Sequence, residues 1–171
     1  MHSAAKRYIR QLKLESHPEG GYFKEIYRSG EIFSADNLPK RYKGNRAFST
    51  SIYFLLDEKQ ISAFHRLKSD ETWHFYDGES LRIHIIDTNG KLSKIVLGKN
   101  LLNDEKIQFT IKKNCWFAAE LINKKSFALV GCSVSPGFDF EDFEFGNRNF
   151  LIKKYPEFKS IILKLTKELQ P

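Results

Sequence analysis

Between Tyr22 and Val134 the chain runs through short β-rich segments with no helical spacing between them. They read "GYFKEIY", "TSIYFLL", "SAFHRL", "TWHFY", "LRIHII", "LSKIVL", "IQFTI", "CWFAAEL" and "FALVGCSV". Asp77-Gly78 and Asn89-Gly90 stand between runs where tight hairpins are required. About nine strands without intervening helices exclude an alternating α/β fold and predict a mainly β, antiparallel sandwich or barrel. The aromatic load of 15 Phe, 7 Tyr and 2 Trp can fill its core without disulfides.

The ends have a different character. Ala5, Tyr8, Ile9 and Leu12 fall at i, i+3, i+4 and i+7, which predicts a short amphipathic helix over 4–13 with Ser3 as its N-cap. "HPEGG" at 17–21 reads as a helix breaker. Pro156, followed by the apolar stripe Phe158, Ile161, Ile162, Leu165 and Leu169, predicts a second helix over 156–169. No repeat or linker divides the 171 residues, so one domain is expected, its barrel over about 20–146.

Charge narrows the partners. The net charge of +7 comes from the ends: residues 1–50 hold ten basic and five acidic side chains, residues 151–171 five and two, and the middle hundred 13 against 14. A nucleic-acid surface gathers its cations on one face, so neither nucleic acid nor membrane is an expected partner. Cys115 and Cys132 form no disulfide framework and read as buried small apolar residues. With no signal-like apolar stretch at the N-terminus, a cytoplasmic setting is expected.

Residues 65–78, "HRLKSDETWHFYDG", place a His, a Glu six residues on and a Gly seven further. This resembles the first cupin motif, His-x-His-x3-Glu-x6-Gly, with Leu67 at the second His. "KKNCWF" at 112–117 occupies the place of the second motif, Pro-x-Gly-x-x-His, with Lys112, Asn114 and Phe117 at its three fixed positions. Asn114 retains access to a left-handed turn, but the ligand imidazole is gone. Together with "HPEGGYFKEIYRS" (17–29), "TSIYFLL" (50–56) and "LVGCSVSPGFDFEDFEFG" (129–146), these motifs resemble the small cupins of unknown function, related in fold to sugar-nucleotide epimerases. The resemblance implies a single cupin jelly-roll barrel, usually a homodimer. Relatives usually keep a Pro, a Gly and a Gln over 112–117, so the mouth chemistry at Phe117 departs from theirs.

Two of four motif ligands remain, His65 and Glu71, and neither a metal nor another cofactor is expected. Strand alternation sets Trp73 and Phe75 with Glu71 and turns His74 away; it turns His84 away from Leu81, Ile83 and Ile85, so both His are expected at the surface or an interface. His65 in the pocket, with Glu71 buried beside it, suits acid–base chemistry; a tether between strands is the plainer alternative. Gly21, Phe23 and Glu25 match the Gly-x-Phe-x-Glu stretch of the epimerases, whereas Gly20 stands where those enzymes commonly have Arg. "PGFDFEDFEF" reads as an aromatic lid with an acidic outer side. The resemblance implies a late Asp that orients the His, either Asp139 or Asp142, with Asp139 preferred because it follows the Pro-Gly turn. The expected catalytic set is therefore His65, Glu71 and Asp139. Tyr22, Phe23, Glu25, Trp116, Phe117 and Phe138 are the expected ligand contacts. The function expected is a metal-independent isomerase or epimerase acting on a sugar-like molecule. The alternatives are a ligand-binding cupin without turnover and a metal-dependent enzyme with a reduced ligand set.

Overall fold

The computed structural model describes residues 1–167. The chain opens with α1 (Ser3–Leu12) and then supplies β1 (Glu15–Ser16), β2 (Tyr22–Arg28), β3 (Ile32–Phe33), β4 (Arg46–Ala47), β5 (Thr50–Asp57) and β6 (Ile61–Leu67). There follow β7 (Asp70–Gly78), β8 (Leu81–Ile86), β9 (Leu92–Leu97), β10 (Gln108–Ile111), β11 (Trp116–Leu121), β12 (Phe127–Ser135) and β13 (Phe143–Phe145). The end is helical, α2 (Arg148–Lys154) and α3 (Lys159–Lys164). All nine expected strands form, and the four additional ones, β1, β3, β4 and β13, are two or three residues long, too short to show a period of two.

The protein is mainly β, in two facing antiparallel sheets. One has the order β1-β2-β5-β12-β7-β10 and the other β13-β6-β11-β8-β9, with β3-β4 as a separate ribbon. Period-two alternation divides each strand between layers. Phe54 and Leu56 of β5, Val130 and Cys132 of β12, Ile83 and Ile85 of β8, and Phe117 and Ala119 of β11 fill the space between the sheets. Their neighbours face outward, where helices cover them. Leu55, Phe127 and Leu129 pack against Ala5, Tyr8, Ile9 and Leu12 of α1. Trp116, Ala118 and Ile86 pack against Leu151, Ile162 and Leu165 of the C-terminal segment.

Several local expectations are adjusted. Ser3 lies inside α1, and the His2 imidazole is its cap, Nδ1 accepting from the Ala4 N–H at 3.3 Å. The expected helix over 156–169 begins as a 3-10 turn, Pro156–Phe158, and its α-helical part stops at Lys164. There the Leu165 carbonyl leaves the helix to accept from the Phe64 N–H of β6 at 2.8 Å. Leu169 lies outside the described residues. Asn114 does adopt a left-handed conformation, φ 63°. His84 faces away from the core as expected but is buried, because the C-terminal segment covers that face.

The "HPEGG" turn docks on β6. The Ala63 N–H donates to the Glu19 carbonyl at 3.0 Å, and the Gly20 N–H to the His17 carbonyl at 3.0 Å. Gly20 has φ 120°, and a Cβ there meets the Ile61 carbonyl oxygen at 2.0 Å, so no side chain fits without displacing the turn. Gly20→Ala is therefore expected to destabilise the fold by at least about 2 kcal/mol. Urea denaturation measures this, and a change within about 0.5 kcal/mol, ordinary for a surface substitution, contradicts it.

Candidate functional site

A cavity of about 240 Å³ opens between the sheets, walled by Phe23 of β2, Thr50, Ile52 and Phe54 of β5, His65 and Leu67 of β6, Glu71 and Trp73 of β7, and Cys132 and Val134 of β12. His17 and Glu19 enter from the "HPEGG" turn, while Phe138, Asp139, Phe140 and Phe143 close over the mouth. The alternation that builds the core builds this site. Each wall residue is an inward member of its strand, placed where the apolar filling gives way to charged groups.

His65 lies between two rings, with Phe117 at 4.0 Å and Phe143 stacked at 5.2 Å. Its Nδ1 is 2.7 Å from the Ala63 carbonyl oxygen. A carbonyl only accepts, so Nδ1 carries a proton. Nε2 is 3.2 Å from Glu19 Oε2. The two groups lie in contact, so their protonation is coupled. Burial lowers the basicity of His65 and raises the pKa of Glu19, and both directions favour the neutral forms of the pair. The Ser62 hydroxyl donates to Glu19 Oε1 at 2.8 Å. The Glu19 backbone N–H donates to His17 Nδ1 at 3.2 Å, placing the His17 proton on Nε2; burial lowers the basicity of this imidazole as well.

Glu71 belongs to the opposite sheet. Burial pushes its carboxyl up to about 7, although the charge of His65 and a hydrogen bond from Trp73 pull downward. Trp73 Nε1–H donates to Oε2 at 2.9 Å, and among the described residues this is the hydrogen bond that holds the carboxyl group. At the mouth, Arg28 clasps Glu25 through two bonds of 3.1 and 2.7 Å and donates to the Phe138 carbonyl at 3.2 Å. The Phe138 N–H donates to Thr50 Oγ1 at 2.9 Å, so the aromatic lid is tied to β2 and β5. Phe140, 60% exposed, is its outermost ring.

Of the residues expected from sequence, His65, Glu71, Asp139, Phe23, Glu25 and Phe138 line the cavity. Tyr22, Trp116 and Phe117 do not. Tyr22 precedes Phe23 on one strand and so faces α1, and Trp116 precedes Phe117 and faces the C-terminal helices beneath the Arg66 guanidinium at 4.4 Å. Phe117 points inward but serves as core beneath the His65 ring. Asp139 does not orient His65. Its Oδ1 accepts from the Glu141 N–H, capping a 3-10 turn, and the carboxyl group on the imidazole is Glu19. Asp142 is fully engaged by Arg46, at 2.6 and 2.8 Å, and by Lys68. Sequence reading missed His17 and Glu19. The available signal was a His and a Glu flanking a Pro at a double-glycine turn just before the first core strand.

The outer face holds a second buried pair, His84 Nε2 and Glu120 Oε1 at 3.2 Å. Burial pushes the Glu120 carboxyl up, but Lys124 and Lys164 outweigh it and hold the group down at about 2. Lys164 at 2.7 Å anchors α3 to β11, a structural role outside the cavity.

A family model described as "Cupin superfamily (DUF985)" matches residues 6–146, and the chain belongs to that family. It is 29% identical over 152 residues to the uncharacterized protein YML079W of Saccharomyces cerevisiae, covering 84% of this chain and 75% of that protein. Protein SO0799 of Shewanella oneidensis has a similar solved structure, with 39% identity, a TM-score of 0.88, and coverage of 99% of this chain and 100% of that one. A hypothetical protein from Leishmania major is 31% identical with a TM-score of 0.86, covering 96% and 99%. Bacillus subtilis oxalate decarboxylase shares the fold at 15% identity and a TM-score of 0.54, over 91% of this chain and 39% of its own.

That decarboxylase carries Mn(II) centres. The donor set here does not fit such an ion. Leu67 and Phe117 are hydrocarbons at two of the four motif positions, and His65 has its Nδ1 bound to the Ala63 carbonyl and its Nε2 3.2 Å from Glu19. Among the described residues no three His, Cys, Asp or Glu side chains form a group able to hold a metal.

The raised Glu71 pKa is also a stability statement. A carboxyl group at about 7 folded and 4.5 in its ordinary state stabilises the fold fully below pH ~4.5, and this contribution is lost as pH rises to about 7. Glu71→Gln is expected to gain on wild type across that window, by up to about 3 kcal/mol at pH ~8. Urea denaturation at a series of pH values checks this. A constant difference between the two proteins across the window refutes it.

Proposed function

We propose that this protein is an isomerase-like or epimerase-like enzyme that moves a proton on a small, sugar-like molecule without a metal. The observation that carries the reading is Glu71, a buried carboxyl group at about 7 on the wall of an aromatic cavity. A general base works best when its pKa lies near the operating pH. His65, its Nδ1 bound to the Ala63 carbonyl and its Nε2 against Glu19, is a positioning residue here, and Glu71 is the group that meets the substrate. The Glu71 carboxylate takes a proton from a carbon beside a carbonyl, and the C–H electron pair moves toward the carbonyl oxygen. The isomer forms when the neighbouring hydroxyl gives its proton to the former carbonyl oxygen and Glu71 returns its own proton to the former carbonyl carbon, and the epimer forms when the enediolate turns and takes the proton back on the opposite face of the same carbon.

The size and walls support a monosaccharide-scale ligand. The cavity, about 240 Å³, is below the ~300–1,000 Å³ range of drug-sized pockets. Gly20, where the epimerases have Arg, leaves no room for a guanidinium on a nucleotide phosphate. The burial of His65 against Ala63 and Glu19 favours one second reading, a binding cupin whose polar cluster is structural.

Incubation in D₂O with a panel of monosaccharides and sugar acids separates the two. The enzyme is expected to exchange a carbon-bound proton of at least one compound that also raises the melting temperature, and Glu71→Gln is expected to slow that exchange by ~10²–10⁴-fold. If compounds bind and none exchanges, the binding reading replaces the enzyme.

A homodimer is also proposed. β1 covers only Tyr22 and Phe23 of β2, and Ile26, Tyr27 and Ile32 are exposed near the remaining edge. Light scattering at micromolar concentration is expected to give about twice 20.0 kDa. A value near 20 kDa at every concentration rules this out.

A further inference from the structure

We infer that the cavity selects a ligand bearing a protonated amine, its ammonium group set against Glu71 and its carbon skeleton against Phe23, Phe54 and Trp73. The inference deepens the small-molecule reading above and is independent of whether a reaction follows. It begins with which lining charges are already answered. Arg28 is the lining cation, and it is held by both oxygens of Glu25 and by the Phe138 carbonyl. That pair is neutral as a unit. Lys167 donates to the Pro18 carbonyl at 2.7 Å and is not part of the wall.

The remaining charge-bearing groups are Glu19, Glu71 and Asp139 with the imidazoles of His17 and His65. Burial lowers the basicity of both imidazoles, so they contribute no fixed positive charge near neutral pH. An anionic ligand thus meets acidic groups without a free cation. A neutral polyol meets hydrogen-bonding partners only. An ammonium group meets a carboxyl group 92% buried, held by one hydrogen bond from Trp73 and in need of a counter-charge when ionised. The wall suits the same ligand, because Phe23, Phe54 and Trp73 offer π faces to a cation and apolar surface to its carbon chain.

The groups facing Glu71 fix the pH dependence. They are His65 from β6, Glu19 from the "HPEGG" turn, Trp73 on its own strand, and Cys132 from β12, whose thiol burial keeps neutral. Glu71 carries its proton below about 7, so an ammonium ligand binds best once that proton has left. Amine affinity therefore rises with pH through neutrality, and binding near pH ~7 releases a proton to the buffer.

Three six-carbon polyols that differ at one terminal group test the inference: glucamine with an ammonium group, glucitol with a hydroxyl and gluconate with a carboxylate. Titration calorimetry of the intact protein at pH ~8 is expected to give glucamine at least about tenfold tighter than glucitol, with gluconate weakest. At pH ~6 the margin is expected to shrink severalfold, and near pH ~7 the heat is expected to depend on the buffer's ionisation enthalpy. Glu71→Gln, checked for folding by its melting curve, is expected to erase the glucamine margin while retaining glucitol binding. Equal affinity for glucamine and glucitol, tightest binding of gluconate, or binding of none of the three overturns the inference, and the wild-type comparison decides this even if the variant does not fold. The D₂O experiment is read separately. Amine preference without exchange removes the enzyme and leaves the amine site, whereas exchange into neutral or acidic sugars alone does the reverse.

Discussion

The contact of His65 with Glu19, 3.2 Å from Nε2 to Oε2, is the constraint around which the cavity is built. The Ala63 carbonyl fixes it by fixing the imidazole tautomer, and Ser62 completes it by occupying the other oxygen of Glu19. All four residues lie on β6 or on the turn that docks beside it, so the arrangement depends on that turn keeping its register. The Ala63 N–H to Glu19 carbonyl bond and the absence of a side chain at Gly20 hold it there. A carboxylate and an imidazolium both buried among Phe117, Phe143 and Phe54 require desolvation of two charges. A neutral acid beside a neutral imidazole avoids that cost and leaves Glu71 as the buried acid whose charge the cavity must answer.

Much of the scaffold was legible because its signal is local. A period of two marks nine strands, Gly78 and Gly90 mark two hairpins with positive φ, and the spacing of His65 to Glu71 puts both on the cavity wall. The errors have equally specific causes. Taking Trp116 with Phe117, and Tyr22 with Phe23, as shared ligand contacts assigns consecutive strand residues to one face, which the pleat forbids. His84 takes the expected face but is buried within the chain instead of lying at the surface or an interface, because nothing local in "LRIHII" shows that α3 and Lys164 come to lie over Glu120 and cover it. Glu19 and His17 escaped for the converse reason. Their turn was read for what it stops, a helix, and its docking on β6 is a contact across some forty residues that no local pattern encodes.

Asp139 is instructive because it lines the cavity while its carboxylate has a partner other than the imidazole. The lid does bring an acidic residue to the cavity, yet the Asp139 carboxylate is used by its own backbone, which needs a cap for the 3-10 turn that follows. Local backbone satisfaction thus removes it from the imidazole, and a residue on the other side of the cavity takes that place.

The fold shared with oxalate decarboxylase fixes strand positions but not chemistry. At two of the four inward motif positions this chain carries Leu67 and Phe117, and the effect extends beyond loss of donors. Phe117 presses on the His65 ring at 4.0 Å and Phe143 stacks on its other side, so water has little access to the imidazole and its protonated form is disfavoured. The same dryness raises Glu71. Hydrocarbon side chains at two donor positions thereby favour a dry site in which the Glu71 carboxyl group holds its proton up to about 7. The chain's net +7 does not reverse this. Its excess lies toward the two ends, surface charges are screened over ~8 Å at physiological salt, and the carboxyl groups inside the cavity act at contact distance through a low-dielectric wall.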